Sequence, residues 1–144
     1  MTGSRVRRVD QQMAAAAAAM LADTIDRPLR TRYRQLPVQL RMSGLAATYA
    51  YLLGKSNATE LGQAYHQVAD GIRIHLTTGS GLVDAAEADT NEKLLHALAT
   101  LDASAYARAS AEVQALAGWL SRLAEARFIA AASANEDTPD GDAV

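Results

Sequence analysis

The last third of the chain reads as one helix, and a rod of that length dictates how the rest can pack. Asp102 is the expected N-cap, and the helical pattern runs from 103 to 132. At 1.5 Å per residue such a helix is roughly 45 Å long. Tyr106, Val113, Leu116, Leu120 and Leu123 recur along one stripe, with Trp119 beside it. A stripe on a rod has to be covered by further helices or by a sheet.

Composition decides between those two covers. Alanine and leucine dominate, aromatic residues make up only 5%, and valine and isoleucine are scarce. That mixture favours helices over strands. The expected fold is all-α: a compact single-domain bundle of about six helices with a long C-terminal helix. Its 144 residues suffice for one domain with a modest core.

The pattern predicts a loose basic arm over residues 1–8 and a first helix over 9–25. Six consecutive alanines, Ala14 to Ala19, give that helix a thin profile that lets a neighbour approach closely. Short helices over 28–35 and 37–42 start at Pro28 and Pro37, where a missing backbone donor is harmless. Ser43 can cap the next helix, 45–53, and Gly44 is a helix stop. Asn57-Ala58-Thr59-Glu60 resembles a capping box, and Leu61, Tyr65, Val68, Ile72 and Leu76 then mark a clear amphipathic helix. Residues 77–81 read as a loop and 82–89 as surface. Asp89 or Thr90 caps a helix ending near 100. Residues 133–144 read as a disordered acidic tail. The helical domain is therefore expected over 9–132.

Few chemistries fit these residues. Cysteine is absent, which excludes disulfides and thiolate metal sites. His66, His75 and His96 are isolated, and no serine sits in a glycine-flanked nucleophile motif. Glu92 and His96 share a helical face, but two ligands do not make a zinc site. Gly79-Ser80-Gly81 is too short to cradle phosphate, and no lysine follows it. Asp84, Glu87, Asp89 and Glu92 lack calcium-loop spacing. No catalytic residue, metal or cofactor is expected. Arg5, Arg7 and Arg8 before the alanine run superficially resemble an export signal. Asp10, Gln11 and Gln12 break that pattern, so the expected compartment is the cytoplasm. The longest apolar run is about ten residues, against the roughly 20 that span a membrane.

The charge is uneven. Net charge is −2, yet residues 1–55 carry +6 and residues 56–144 carry −8. Residues 27–55 hold Arg27, Arg30, Arg32, Arg34, Arg41 and Lys55 and no acid. Guanidinium groups fork onto phosphate oxygens, which makes this segment a candidate surface for a nucleic-acid backbone. Arg30, Arg34, Arg41 and Lys55 are the leading candidates, with Arg27, Arg32 and Arg73 behind them. The bland alternative is a solvated face that only aids solubility. Tyr33, Tyr49, Tyr65, Tyr106 and Trp119 sit at core spacing, whereas Tyr51 falls off its helix's stripe and is free to meet a partner or a base.

An ordered series of short motifs adds a resemblance. Tyr33-Arg34 precedes Leu36-Pro37; then come Ser43-Gly44-Leu45, Thr48-Tyr49-Ala50-Tyr51-Leu52 and Lys55. Tyr106, Ser110, Glu112 and Leu116 follow, and then the run Trp119 to Ala126. In these residues the chain resembles the small-subunit family of the type III-B CRISPR effector, the Cmr complex, over roughly residues 5–130. One departure is Ser43, where the family usually has asparagine; another is the alanine-rich first helix. The resemblance implies a non-catalytic, all-α, RNA-binding subunit of an antiviral ribonucleoprotein. Copies would stack on one another, contact other Cmr subunits, and support the guide RNA and target RNA; cleavage would belong to other subunits.

Two rivals carry different tests. A helical protein-protein adaptor would dock an acidic partner on the basic face and keep it after nuclease treatment. A DNA-binding regulator would need a base-reading helix, and 45–53 has no polar face for that.

Overall fold

A computed structural model describes the backbone of residues 2–137 and the side chains of residues 9–134. It contains six α-helices: α1 (Thr2–Met20), α2 (Arg27–Ser43), α3 (Leu45–Lys55), α4 (Glu60–Ile74), α5 (Asn91–Thr100) and α6 (Ala103–Asp137). A single π-helical turn, His75–Gly79, prolongs α4. No strand occurs among the described residues.

The long rod is present and longer than expected. α6 has 35 residues, about 50 Å at 1.5 Å each. Asp102 Oδ1 accepts the Ala105 N–H at 2.8 Å, as an N-cap should. α1 and α2 pack along α6, while α3 packs on α4 and α5. The core joins Ala109, Val113, Leu116, Leu120 and Ala124 of α6 to Met13, Ala17 and Met20 of α1 and to Leu29, Tyr33, Leu36 and Leu40 of α2. Ala17 is fully buried, which is the use of the alanine run: no side chain holds the neighbouring helix away.

Several boundaries differ from the sequence expectation. Residues 2–8, expected as an arm, continue the backbone of α1. The expected tail, 133–144, is helical to Asp137, and its remainder lies outside the described residues. The two short helices at 28–35 and 37–42 are one helix, with Pro37 inside it. An interior proline costs about 3 kcal/mol. Leu36 and Leu40 on either side are buried, each contributing about 1.5–3 kcal/mol. Gln114 Nε2 of α6 also donates to the Pro37 carbonyl at 2.9 Å. Packing on α6 therefore carries the helix through the break. Val83 and Ala88 are buried, so 82–89 is not wholly surface. The Val83 N–H donates to Leu76 O at 3.0 Å and ties that segment to the end of α4.

The α2–α3 corner turns on Gly44 rather than Ser43. Gly44 has φ 88°, a left-handed conformation that favours glycine. Its N–H closes α2 on Leu40 O at 2.9 Å. No side chain caps α3; instead the Ala46 N–H donates to the Tyr106 hydroxyl at 3.0 Å. The start of α6 thus holds the corner between the two helices that carry most of the basic segment.

Candidate nucleic-acid interface

α2 is the element that distributes the arginines. Its buried stripe is Leu29, Tyr33, Leu36 and Leu40. At about 100° per residue, Arg27, Arg30, Arg34 and Arg41 fall within an arc of roughly 60° on one flank of that stripe. Arg32 lies on the other flank, roughly 160° from Arg30 and Arg34. The segment is therefore two basic regions rather than one continuous rail.

The first region lies against α6. Arg30 Nε donates to Glu125 Oε2 at 2.7 Å, and Arg30 Nη2 donates to Glu125 Oε1, which makes a bidentate pair. The Arg30 guanidinium also sits 4.6 Å from the Phe128 ring centroid. Arg34 Nη2 reaches the same carboxylate at 3.0 Å. Hydrogen bonding from Arg30, then from Arg34, holds the Glu125 carboxyl down at about 2, despite partial desolvation that opposes the shift. Two of the four leading candidates are thus engaged by an internal acid. Arg30 is the more committed, with its side chain 29% exposed against 60% for Arg34. Arg27 and Arg41 are exposed at the two ends of the same flank. Neither forms a salt bridge to a carboxylate among the described residues.

The second region lies between α2, α3 and the start of α4. Arg32, Tyr51, Lys55 and Tyr65 line one open recess together with Asn57 and Leu61. The Lys55 ammonium sits 5.6 Å from the Tyr51 ring centroid. The Tyr51 and Tyr65 rings meet edge to face at 6.0 Å. Burial is the chief reason that the Tyr65 phenol titrates above its ordinary value. No carboxylate lines this recess. Its wall depends on Gly62: a Cβ there would collide with Asn57, so glycine lets the α3–α4 loop lie against α4. The loop is braced from within, since Asn57 Oδ1 accepts the Thr59 N–H at 2.9 Å and the Thr59 hydroxyl accepts the Gly62 N–H at 3.0 Å.

Arg73 belongs to neither region. Its Nε donates to Asn91 Oδ1 at 2.9 Å, and Nη2 approaches Asp70 at 3.4 Å. The same Asn91 oxygen accepts the hydroxyl of fully buried Tyr49 at 3.0 Å. Burial pushes the Tyr49 phenol well above its usual range. This network fastens α3 and α4 to the start of α5.

Sequence reasoning missed Glu125 as the acid that engages two candidates, because its partners lie 95 and 91 residues away. It also read Tyr65 as packing alone. The spacing of Tyr65 marked it as inward, and only the fold brings its ring to Tyr51. Among the described residues no group of three or more potential ligands could hold a metal ion. No described helix is long and apolar enough to cross a membrane.

No curated protein and no solved structure matches the chain. The profile of the family described as CRISPR-associated protein (Cas_Cmr5) matches residues 7–127. That span takes in all of α2, α3, α4 and α5, most of α1, and α6 through both Glu125 and Arg127. With most of its length accounted for by that profile, the chain belongs to the Cas_Cmr5 family of CRISPR-associated proteins, the small subunits of the type III-B Cmr complex.

Proposed function

We propose that this chain is a non-catalytic structural subunit of a type III-B CRISPR ribonucleoprotein. Several copies stack and support the guide–target RNA duplex through contacts to its backbone. Partners in this reading are guide RNA, target RNA, other Cmr subunits and further copies of the chain. Arg32, Lys55, Arg41 and Arg27 present charge that no described carboxylate pairs with, and they are the first candidates for phosphate. Arg34 is engaged by Glu125 and stands behind these four. Arg30 and Arg73 act mainly within the fold. The observation that carries the reading is an acid-free basic segment, displayed on helices of a Cas_Cmr5 family member. Contacts of this kind neutralise charge and position an RNA without reading its sequence.

Reconstitution of the ribonucleoprotein with and without this subunit tests the proposal. The complete complex should hold target RNA more tightly, and the difference should shrink as salt rises, because phosphate contacts release counterions. A complex that binds target RNA equally well without the subunit contradicts the reading. So does a subunit that remains bound to an acidic protein after all RNA is digested, which is the behaviour of an adaptor.

A further inference from the structure

Tyr51 is half-buried at the edge of the core, and its surroundings are specific. Its ring stands edge to face with Tyr65, beneath the Lys55 ammonium and beside Arg32. A second, shallow recess shares Arg32, Tyr51, Leu61 and Tyr65 with the first, and again no acid lines it. The adjoining groove, which shares Leu61 with both recesses, carries Asp23, Asp26 and Glu60. An anion that settles here is thus attracted by Arg32 and Lys55, beside the tyrosine pair, and repelled by the carboxylates of the next groove.

A site meant for phosphate alone needs only cations. Two half-buried tyrosine rings with two exposed cations at their rim suit a ligand that is flat and aromatic on one side and anionic on the other. The cation above Tyr51 is no obstacle. An exposed ammonium–ring contact is worth only about 0.5–1 kcal/mol, and Lys55 can swing from the ring to a phosphate.

We infer that the recess of Arg32, Tyr51, Lys55 and Tyr65 seats one unstacked nucleotide of single-stranded RNA. The base lies on the Tyr51 ring, and the phosphate lies between Lys55 and Arg32. This deepens the RNA-binding reading above and rests on it: it adds a base contact to a surface otherwise described by backbone charge.

Photo-cross-linking in the assembled ribonucleoprotein tests the inference, with 4-thiouridine placed along the target RNA. In the unaltered subunit, adducts should map to the peptides that hold Tyr51 or Tyr65. Tyr51→Phe keeps the ring and should retain them. Tyr51→Leu keeps apolar bulk without a π-face and should lower the yield roughly fivefold or more, as loss of one stacked base implies. Thermal melting of the isolated variants confirms that both are folded. Adducts confined to the α2 flank of Arg27 and Arg41, or equal yields from the phenylalanine and leucine variants, would overturn the recess and leave the backbone reading standing. No adduct anywhere on this subunit would overturn both.

Discussion

The two flanks of α2 carry the same residue type and do different work. On one, Arg30 and Arg34 close on Glu125 and tie α2 to α6. On the other, Arg32 and Lys55 stand beside two tyrosines with no acid in their recess. Cation count is therefore a poor guide to a nucleic-acid surface. What matters is which cations the fold has already spoken for. A single carboxylate on a neighbouring helix turns part of a basic stripe into a joint.

The comparison is easiest to break with charge. Arg32→Gln combined with Lys55→Gln should weaken target-RNA binding by the assembled complex on the order of tenfold at low salt. Arg30→Gln combined with Arg34→Gln should change binding far less. Equal losses from the two pairs would erase the distinction between the flanks.

The second test addresses the wall of the recess. Gly62→Ala forces the α3–α4 loop off α4, because the added methyl would meet the Asn57 backbone as well as its side chain. Overpacking of this kind costs about 1–3 kcal/mol, readable by denaturant titration. It should weaken RNA binding together with stability, since Lys55 and Asn57 move with the loop. A variant of unchanged stability would show that the close approach is not required.

Arg30→Ala sharpens the other flank. It removes a bidentate pair and a ring contact, so the melting temperature should fall. The corresponding Arg32→Ala, with no such partner, should leave melting nearly unchanged.

The smallest effect is a pH dependence. The Glu125 carboxyl is depressed from 4.5 to about 2 by its arginines. A depressed carboxylate stabilises the fold at pH values above its unfolded pKa. That contribution is lost as pH falls through the folded value. Melting temperature should therefore decline between about pH 4.5 and 2, and the decline should be shallower in Glu125→Gln. Parallel acid limbs in the two proteins would mean that the clasp contributes nothing measurable.

Much of the scaffold is legible in the residues alone. The caps Asp102 and Thr90 are local signals, and each accepts the backbone N–H expected of it; the capping box read over Asn57 to Glu60 is displaced, because Thr59 is the residue that caps α4. The stripes of α4 and α6 follow from helical period, and most of those residues are buried. Pro37 misleads because its cost is local while the forces that outweigh it, Leu36, Leu40 and Gln114, act through α6. The motif residues that carry the family resemblance prove to be largely joints. Tyr33 accepts the Ala22 N–H, Tyr49 bonds Asn91, Tyr106 holds the α2–α3 corner, and Glu125 clasps α2. Such residues announce a fold more clearly than a binding surface. The candidate site is legible as a basic segment. Its division into two flanks is not, because that depends on which helix face meets α6 and which meets α3 and α4.

The most direct test is the salt dependence of target-RNA affinity in the assembled ribonucleoprotein, measured for the unaltered subunit and for the two glutamine pairs. Each phosphate that a variant no longer neutralises should flatten the plot of log affinity against log salt by about 0.7–0.9 per copy of the subunit engaged, the lower value for a single strand. The account predicts a flatter slope for Arg32→Gln with Lys55→Gln and an unchanged slope for Arg30→Gln with Arg34→Gln. A flatter slope only in the second pair, or in neither, would contradict it.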